Sequence, residues 1–288
     1  MNLIRVDNTK CSRDGICVEV CPLGLLSVDP EGRPQMRPAA ARLCIGCGHC
    51  VAVCPKGALD NVKNPLSQNS EIPAQFSPDP AQAALFLRSR RSIRRYKDEP
   101  VPRATMLKLL EIARYAPSGH NSQGISYLVV EGRENLTAMG NIVVGWMREV
   151  VRLSPEMARQ YHMSAIIRAH EKGEDRILRG APHIIVAHAP AELLAAPVST
   201  VLSLEYVELY APAFGIGTCW AGYTQICARQ SPALSEFLKI PAGRSITGIL
   251  MAGYPKYKYH RLPARDPLEV AWFEAGGRRG RQPGSALP

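Results

Sequence analysis

From Ala81 onward the spacing of the hydrophobic residues changes several times, and each change marks an element. "AQAALFLRSRRS" reads as a helix. In "RATMLKLLEIARYAPS", Met106, Leu109, Leu110 and Ala113 fall on one face at helical spacing. "ISYLVVE", "HIIVAHA" and "ITGILMAG" are short β-branched runs, which predicts strands, and "SLEYVELYAPAF" is helical again. Residues 140–179 form a further helical stretch that carries Trp146, Met147, Tyr161, His162 and Met163. At helical spacing such residues build core, and they are also candidates to shape a substrate pocket. Helices alternating with strands predict a mixed α/β domain.

Upstream the pattern differs. "NPLSQNSEIPAQFSPDP", residues 64–80, is rich in Pro, Ser, Asn and Gln and reads as a linker. Before it, "CSRDGICVEVCPLGLLSVD" is echoed by "CIGCGHCVAVCPKGALDNV". Each copy has a cysteine run, then Cys-Pro, then a glycine and an apolar pair, which suggests two pseudo-symmetric halves. The expected organisation is a small domain over residues 1–62, a linker over 63–80 and a large domain over 81–288.

Bulk composition narrows the classes. The chain has 288 residues, 46% of them hydrophobic, enough for one large and one small core. "MNLIRVDNTKC" has no apolar segment of a secretory signal. No uninterrupted apolar stretch reaches about 18 residues, so no membrane span is expected. The longest, Val198 to Ile226, is broken by Glu205 and Glu208. The expected location is cytoplasmic. The net charge of +10 is concentrated partly in "RSRRSIRRYK" and in the tail "GGRRGRQPGSALP". The tail lacks the interleaved aromatics of single-strand binders, so a solvated face or an anion site is expected and nucleic acid is not.

Seven of the nine cysteines lie between Cys11 and Cys54, and in a reducing compartment such clustering points to metal rather than disulfides. The second repeat is complete: Cys44, Cys47, Cys50, then Cys54-Pro55. The spacing C-x2-C-x2-C-x3-C-P is that of iron–sulfur loops, in which the fourth cysteine ligates the other cluster. Zinc is the alternative, but it needs neither the third cysteine nor the paired Cys-Pro. The residue after Cys-Pro is expected to start a helix that leads away. In the first repeat Asp14 stands at the second cysteine position.

Residues 1–62 thus resemble the two-[4Fe-4S] bacterial ferredoxins. The resemblance implies one cluster on Cys44, Cys47, Cys50 and Cys21, and another on Cys11, Cys17 and Cys54 with Asp14 facing the fourth iron. Asp14 is then either a carboxylate ligand or a bystander beside an open iron corner. A carboxylate oxygen is a harder and less covalent ligand than thiolate, and some ferredoxins with Asp here give a [3Fe-4S] cluster.

Three stretches of the large domain point to a phosphate-bearing planar cofactor. "RSRRSIRRY", Arg88 to Tyr96, offers forked donors for phosphate. "APSGHNSQG", Ala116 to Gly124, offers amide and backbone contacts. "GIGTCWAGY", Gly215 to Tyr223, lets backbone approach a ligand. Their order, followed by "GYPKYKYHRLPARDP", resembles the FMN-dependent nitroreductase family across residues 83–273. The resemblance implies an α+β fold that dimerises, with FMN at the dimer interface. By position, Arg90, Arg91, Ser92 and Arg94 would contact the FMN phosphate and ribityl chain, and Asn121 the isoalloxazine or ribityl. The backbone of Ala221 and Gly222 would lie near the flavin N5 edge, and Arg265 would close on the phosphate. Many relatives continue "NSQ" with Pro-Trp, where this chain has Gly124-Ile125. His120 and His162 are candidate proton donors, though a lone histidine is more often structural. Cys219 and Cys227 read as buried small apolar residues.

The chain is therefore read as an iron–sulfur flavoprotein, a homodimer passing electrons from clusters to FMN. The expected acceptor is a nitro, quinone or activated alkene-like small molecule. The expected donor is a low-potential one, ferredoxin or similar, or NAD(P)H. One alternative oxidises NAD(P)H and sends electrons out through the clusters. Another is an electron carrier or redox sensor without turnover.

Overall fold

Gly15 and Gly48 both take the left-handed backbone region (φ 73° and 75°), which a side chain at that position would disfavour. They turn the two cysteine loops into two short helices, α1 (Ile16–Glu19) and α2 (His49–Ala52). The computed structural model describes residues 3–273 and 279–283. It divides into two compact units, one of residues 1–77 with Pro117–Gly124, the other of Pro78–Ala116 with residues 125–288.

In the first unit, strands β1 (Ile4–Val6), β2 (Leu26–Val28), β3 (Pro34–Met36) and β4 (Leu59–Asn61) form two antiparallel pairs. Ile4 lies opposite Asn61 and Leu26 opposite Met36. Ile4, Cys17, Leu26, Val51 and Leu59 make a small core. The helix expected after each Cys-Pro is not there. The helix precedes it and carries Cys17 in one repeat and Cys50 in the other, and the chain then turns into a strand. Gly24 and Gly57 (φ 59° and 55°) make those turns, and the N–H groups of Leu25 and Ala58 donate to the sulfurs of Cys21 and Cys54 at 3.3 and 3.2 Å. A left-handed glycine two residues after proline ends helical propagation before it starts. Within the expected linker, a 3-10 turn at Leu66–Gln68 is tied back by the Leu66 N–H, which donates to Asp60 at 2.8 Å.

The second unit is built on a four-stranded antiparallel sheet of β5 (Ser126–Glu131), β6 (His183–Pro190), β7 (Gly217–Trp220) and β8 (Arg244–Gly253), in the order β5-β6-β8-β7. Its helices are α3 (Pro80–Ser89), α4 (Arg103–Glu111), α5 (Arg133–Leu153), α6 (Pro155–Gln160), α7 (Met163–Glu171), α8 (Ala196–Tyr210), α9 (Gly222–Gln230) and α10 (Ala233–Phe237). A ladder of β9 (Glu269–Phe273) and β10 (Arg279–Pro283) follows. The rest of the basic tail lies outside the described residues.

Alternation along the strands assigns the two faces. Ile184, Val186, Ile249 and Met251 pack with Met139, Val143, Met147 and Met163 of α5 and α7. Ile185, Ala187, Leu250 and Ala252 pack with Met106, Leu109, Leu204 and Val207 of α4 and α8. Both faces are covered, which is why "HIIVAHA" reads as an unbroken apolar run. Trp146, Met147 and Met163 are core residues, whereas Tyr161 and His162 are exposed. Cys219 and Cys227 are buried. Among the described residues no helix is long and apolar enough to cross a membrane.

One close approach fixes the edge of this sheet. The Ile93 N–H donates to the Thr218 carbonyl at 2.8 Å, and Ser92 bridges Thr218 in parallel. A Cβ on Gly217 would stand 2.8 Å from the Ile93 Cβ and 2.9 Å from Pro255. Gly217→Ala should therefore cost about 1–3 kcal/mol through overpacking. Gly222→Ala, whose Cβ would meet nothing within 4 Å, should cost less. Thermal unfolding of both variants checks this, and equal melting temperatures would contradict the packing account.

Candidate functional site

The first unit contains two cavities whose walls mix the two sequence repeats. Cys44, Cys47 and Cys50 of the second repeat line one cavity together with Cys21 of the first. Cys11, Asp14 and Cys17 of the first repeat line the other together with Cys54 of the second. Among the described residues no three His, Cys, Asp or Glu side chains are placed to hold a single metal ion. This donor set suits a multi-iron group better than zinc.

Burial, reinforced by the neighbouring Cys54 and Asp14, pushes the Cys17 thiol up to about 11. Burial also raises Cys50. Both are neutral thiols near neutral pH, and a bound metal must displace their protons. Asp14 is exposed and already engaged: its Oδ2 accepts from the Ser12 hydroxyl at 2.7 Å and its Oδ1 from the Ile16 N–H at 3.1 Å. Its carboxylate therefore braces the entry to α1 at the cavity wall, and each oxygen retains a lone pair for iron.

Around the Cys21/Cys44/Cys47/Cys50 cavity lies a set of donors that the cysteine motif did not flag. Asn61 is buried, and its Nδ2 is 3.9 Å from the sulfurs of both Cys44 and Cys50. The Lys63 ammonium donates to the Cys44 carbonyl. Asn121 Nδ2 donates to the Ile45 carbonyl at 3.0 Å. Asn121, expected at a flavin, thus belongs to the first unit, in a loop where His120, Asn121 and Gln123 all have positive φ (52°, 53° and 47°).

In the second unit the structure joins the other predicted stretches. The run from Arg90 to Tyr96 pairs with β7 at Thr218 and with the segment after β8, where Tyr96 bridges Pro255 and the Lys256 N–H donates to the Arg95 carbonyl at 3.0 Å. The Arg91 guanidinium lies 5.7 Å from the ring centre of Tyr259. Arg90 is engaged by protein anions, 3.4 Å from Glu208 and 3.8 Å from Glu205. Glu208 is buried and also accepts from the Thr218 hydroxyl at 3.1 Å. Burial raises its pKa, against the pull of Arg90. Burial likewise raises the Cys219 thiol, with Arg94 pulling it down. Arg94 is exposed. The Ala221 N–H is used by the Ile249 carbonyl at 2.9 Å. Arg265 is exposed and donates to the carbonyl of its neighbour Ala264 at 3.3 Å.

The residues present fit an anionic, polar cofactor. Arg91, Ser92 and Arg94 supply donors, and Gly222 opens onto free space at the start of α9. Two and three residues further on, Thr224 Oγ1 and both amide atoms of Gln225 are buried without a partner among the described residues. Sequence reasoning passed over Asn61, Lys63 and Glu208. Glu208 did leave a trace, as a carboxylate inside an otherwise apolar helix.

The signature of the nitroreductase family matches residues 87–254, and that of a 4Fe-4S dicluster domain matches residues 9–58. A Thermus thermophilus protein named NADH dehydrogenase is 28% identical over 199 residues, which span 64% of this chain and 92% of that protein. A nitroreductase with bound FMN from Bacteroides fragilis superposes with a TM-score of 0.53 at 18% identity, covering 66% of this chain and 96% of that one. One from Desulfitobacterium hafniense, also with bound FMN, gives 0.52 at 23%, covering 66% and 97%. At these identities the structural likeness shows the fold.

The mixed walls of the two cavities yield a test. Cys21→Ser and Cys47→Ser, one in each repeat, should deplete the same iron, and Cys17→Ser should deplete the other. Adding Cys47→Ser to Cys21→Ser should remove little further iron, whereas adding Cys17→Ser should remove nearly all that remains. Iron and sulfide per purified chain report this, and additive loss from Cys21→Ser and Cys47→Ser would contradict it.

Proposed function

The chain belongs to the nitroreductase family, and on that premise we propose that it is an FMN oxidoreductase fed by its own iron–sulfur clusters. Electrons pass from two clusters to FMN and on to a nitro, quinone or activated alkene-like acceptor. The observation that carries this reading is the pair of cavities, each lined by cysteines drawn from both repeats. Bound FMN exchanges electrons singly or in pairs and so joins one-electron centres to a two-electron reduction.

The remaining roles fall to side chains. Arg91, Ser92 and Arg94 hold the phosphate and ribityl chain, and Arg265 closes from the C-terminal segment. Arg90 shares its charge with buried Glu208 and keeps the run in place on β7. The backbone at Ala221 and Gly222 flanks the reactive ring edge. In the first unit Cys21, Cys44, Cys47 and Cys50 hold a [4Fe-4S] cluster. Cys11, Cys17 and Cys54 hold the other, with Asp14 at its fourth corner, as [4Fe-4S] or, after loss of that iron, [3Fe-4S].

The protein acts as a homodimer in the cytoplasm. The dimer is supported by exposed apolar side chains on α3 (Leu85, Phe86, Leu87) and on α8 (Val198, Val201). The donor is ferredoxin or a similar low-potential protein. The Thermus relative's name favours a second reading, in which NAD(P)H reduces the flavin and electrons leave through the clusters.

Anaerobic rapid mixing separates the two. Reduced ferredoxin with a nitroaromatic acceptor should support turnover in the wild type, and Cys47→Ala should abolish that turnover while keeping FMN. Turnover undiminished in Cys47→Ala would defeat the inward reading, and rapid NADH reduction of FMN followed by the clusters would establish the outward one. For the phosphate assignment, Arg94→Ala removes charge-assisted bonds of roughly 1.5–3 kcal/mol, so FMN affinity should fall about ten-fold or more. Flavin absorbance per chain after dialysis checks it, and full retention would overturn the role of Arg94.

A further inference from the structure

The two repeats differ at a position that bears on their cavities. Seven residues beyond the crossing cysteine, the first repeat has Val28 and the second has Asn61. Val28 is exposed. Asn61 is buried, and its side chain is held from both ends. Its Oδ1 accepts from the Lys63 N–H at 2.9 Å. That bond turns the amide so that Nδ2 faces the sulfurs of Cys44 and Cys50, at 3.9 Å from each. The Lys63 ammonium on the Cys44 carbonyl and Asn121 on the Ile45 carbonyl brace the same loop. Asn61 Nδ2, the Lys63 ammonium and Asn121 Nδ2 each donate a hydrogen. The wall of the other cavity carries Arg13 and Asp14, whose charges offset, and no such amide.

Adding an electron to an iron–sulfur cluster places negative charge on its sulfurs. N–H donors aimed at those sulfurs, and a cation beside them, stabilise the reduced state more than the oxidised one. We infer that Asn61 is a positioning residue that gives the Cys21/Cys44/Cys47/Cys50 cluster the higher reduction potential of the two, so that it is the first to be reduced. The inference rests on the reading that both cavities hold clusters. Each cluster takes up one electron from a chemical reductant, which is oxidised in turn, and no bond is made or broken.

The test is an anaerobic potentiometric titration of the full chain with dithionite, followed by electron paramagnetic resonance. The proteins are wild type, Asn61→Leu, Asn61→Gln and Asp14→Cys. In the wild type one cluster signal should appear at higher potential than the other. Asp14→Cys should alter only the later signal, because that residue lines the other cavity. Asn61→Leu should shift the earlier signal to lower potential and leave the later one in place, with Asn61→Gln partly restoring it. The inference is overturned if Asp14→Cys alters the earlier signal, or if Asn61→Leu leaves both midpoints unchanged. Should Asn61→Leu fail to assemble, the order of reduction in wild type and Asp14→Cys still decides the matter. An iron count well below about eight per chain, or a single cluster signal, is a different failure, because it overturns the two-cluster reading itself.

Discussion

Neither half of the small unit can complete its cavity alone. One cysteine in each cavity wall comes from the other repeat, so Cys21 must reach the loop of Cys44 to Cys50, and Cys54 must reach that of Cys11 to Cys17. Much else follows from that exchange. The left-handed glycines at 15 and 48 start the short helices that carry the chain from Cys17 to Cys21 and from Cys50 to Cys54. The turns at Gly24 and Gly57 let backbone N–H groups reach the crossing sulfurs. The pairing of β1 with β4 brings Asn61 to the wall of one cavity. A core as small as Ile4, Cys17, Leu26, Val51 and Leu59 supplies little stability by itself, and a unit of this size draws on bound metal for the rest.

The second unit follows a different logic. Its sheet is buried on both faces, so its rigidity comes from packing rather than from ligation. Against the β7 edge of that sheet the arginine run is pinned by backbone pairing at Thr218, and Gly217 leaves room for Ile93. The run's charges are then sorted by burial. Arg90 pairs with Glu208 beneath it, whereas Arg94 stays exposed. A buried carboxylate beneath a basic run is costly to ionise without its partner, so Glu208 and Arg90 are tied to one another in position.

Much of this was legible in the sequence because ligation and sheet burial both impose strict spacing. The cysteine repeat, the meeting of Cys21 with the loop of Cys44 to Cys50, and the strands at "ISYLVVE", "HIIVAHA" and "ITGILMAG" could be read directly. No helix follows Cys-Pro because the glycine two residues after the cysteine's proline enforces a turn. Asn61 was invisible because its partners lie 17 and 11 residues away and meet it only through strand pairing. The broken repeat symmetry between Val28 and Asn61 was the signal that could have found it. Asn121 sits in a stretch that reads as a cofactor loop, and only the fold shows it bonded to Ile45.

The central claim is that the clusters and the flavin form one redox system within a single chain. Anaerobic coulometry on the purified protein, followed by addition of a nitroaromatic acceptor, tests it most directly. The account predicts about four electrons taken up per chain, one for each of two clusters and two for the flavin, all of them withdrawn by the acceptor. Uptake of about two electrons, or cluster signals that stay reduced while the flavin reoxidises, would contradict it.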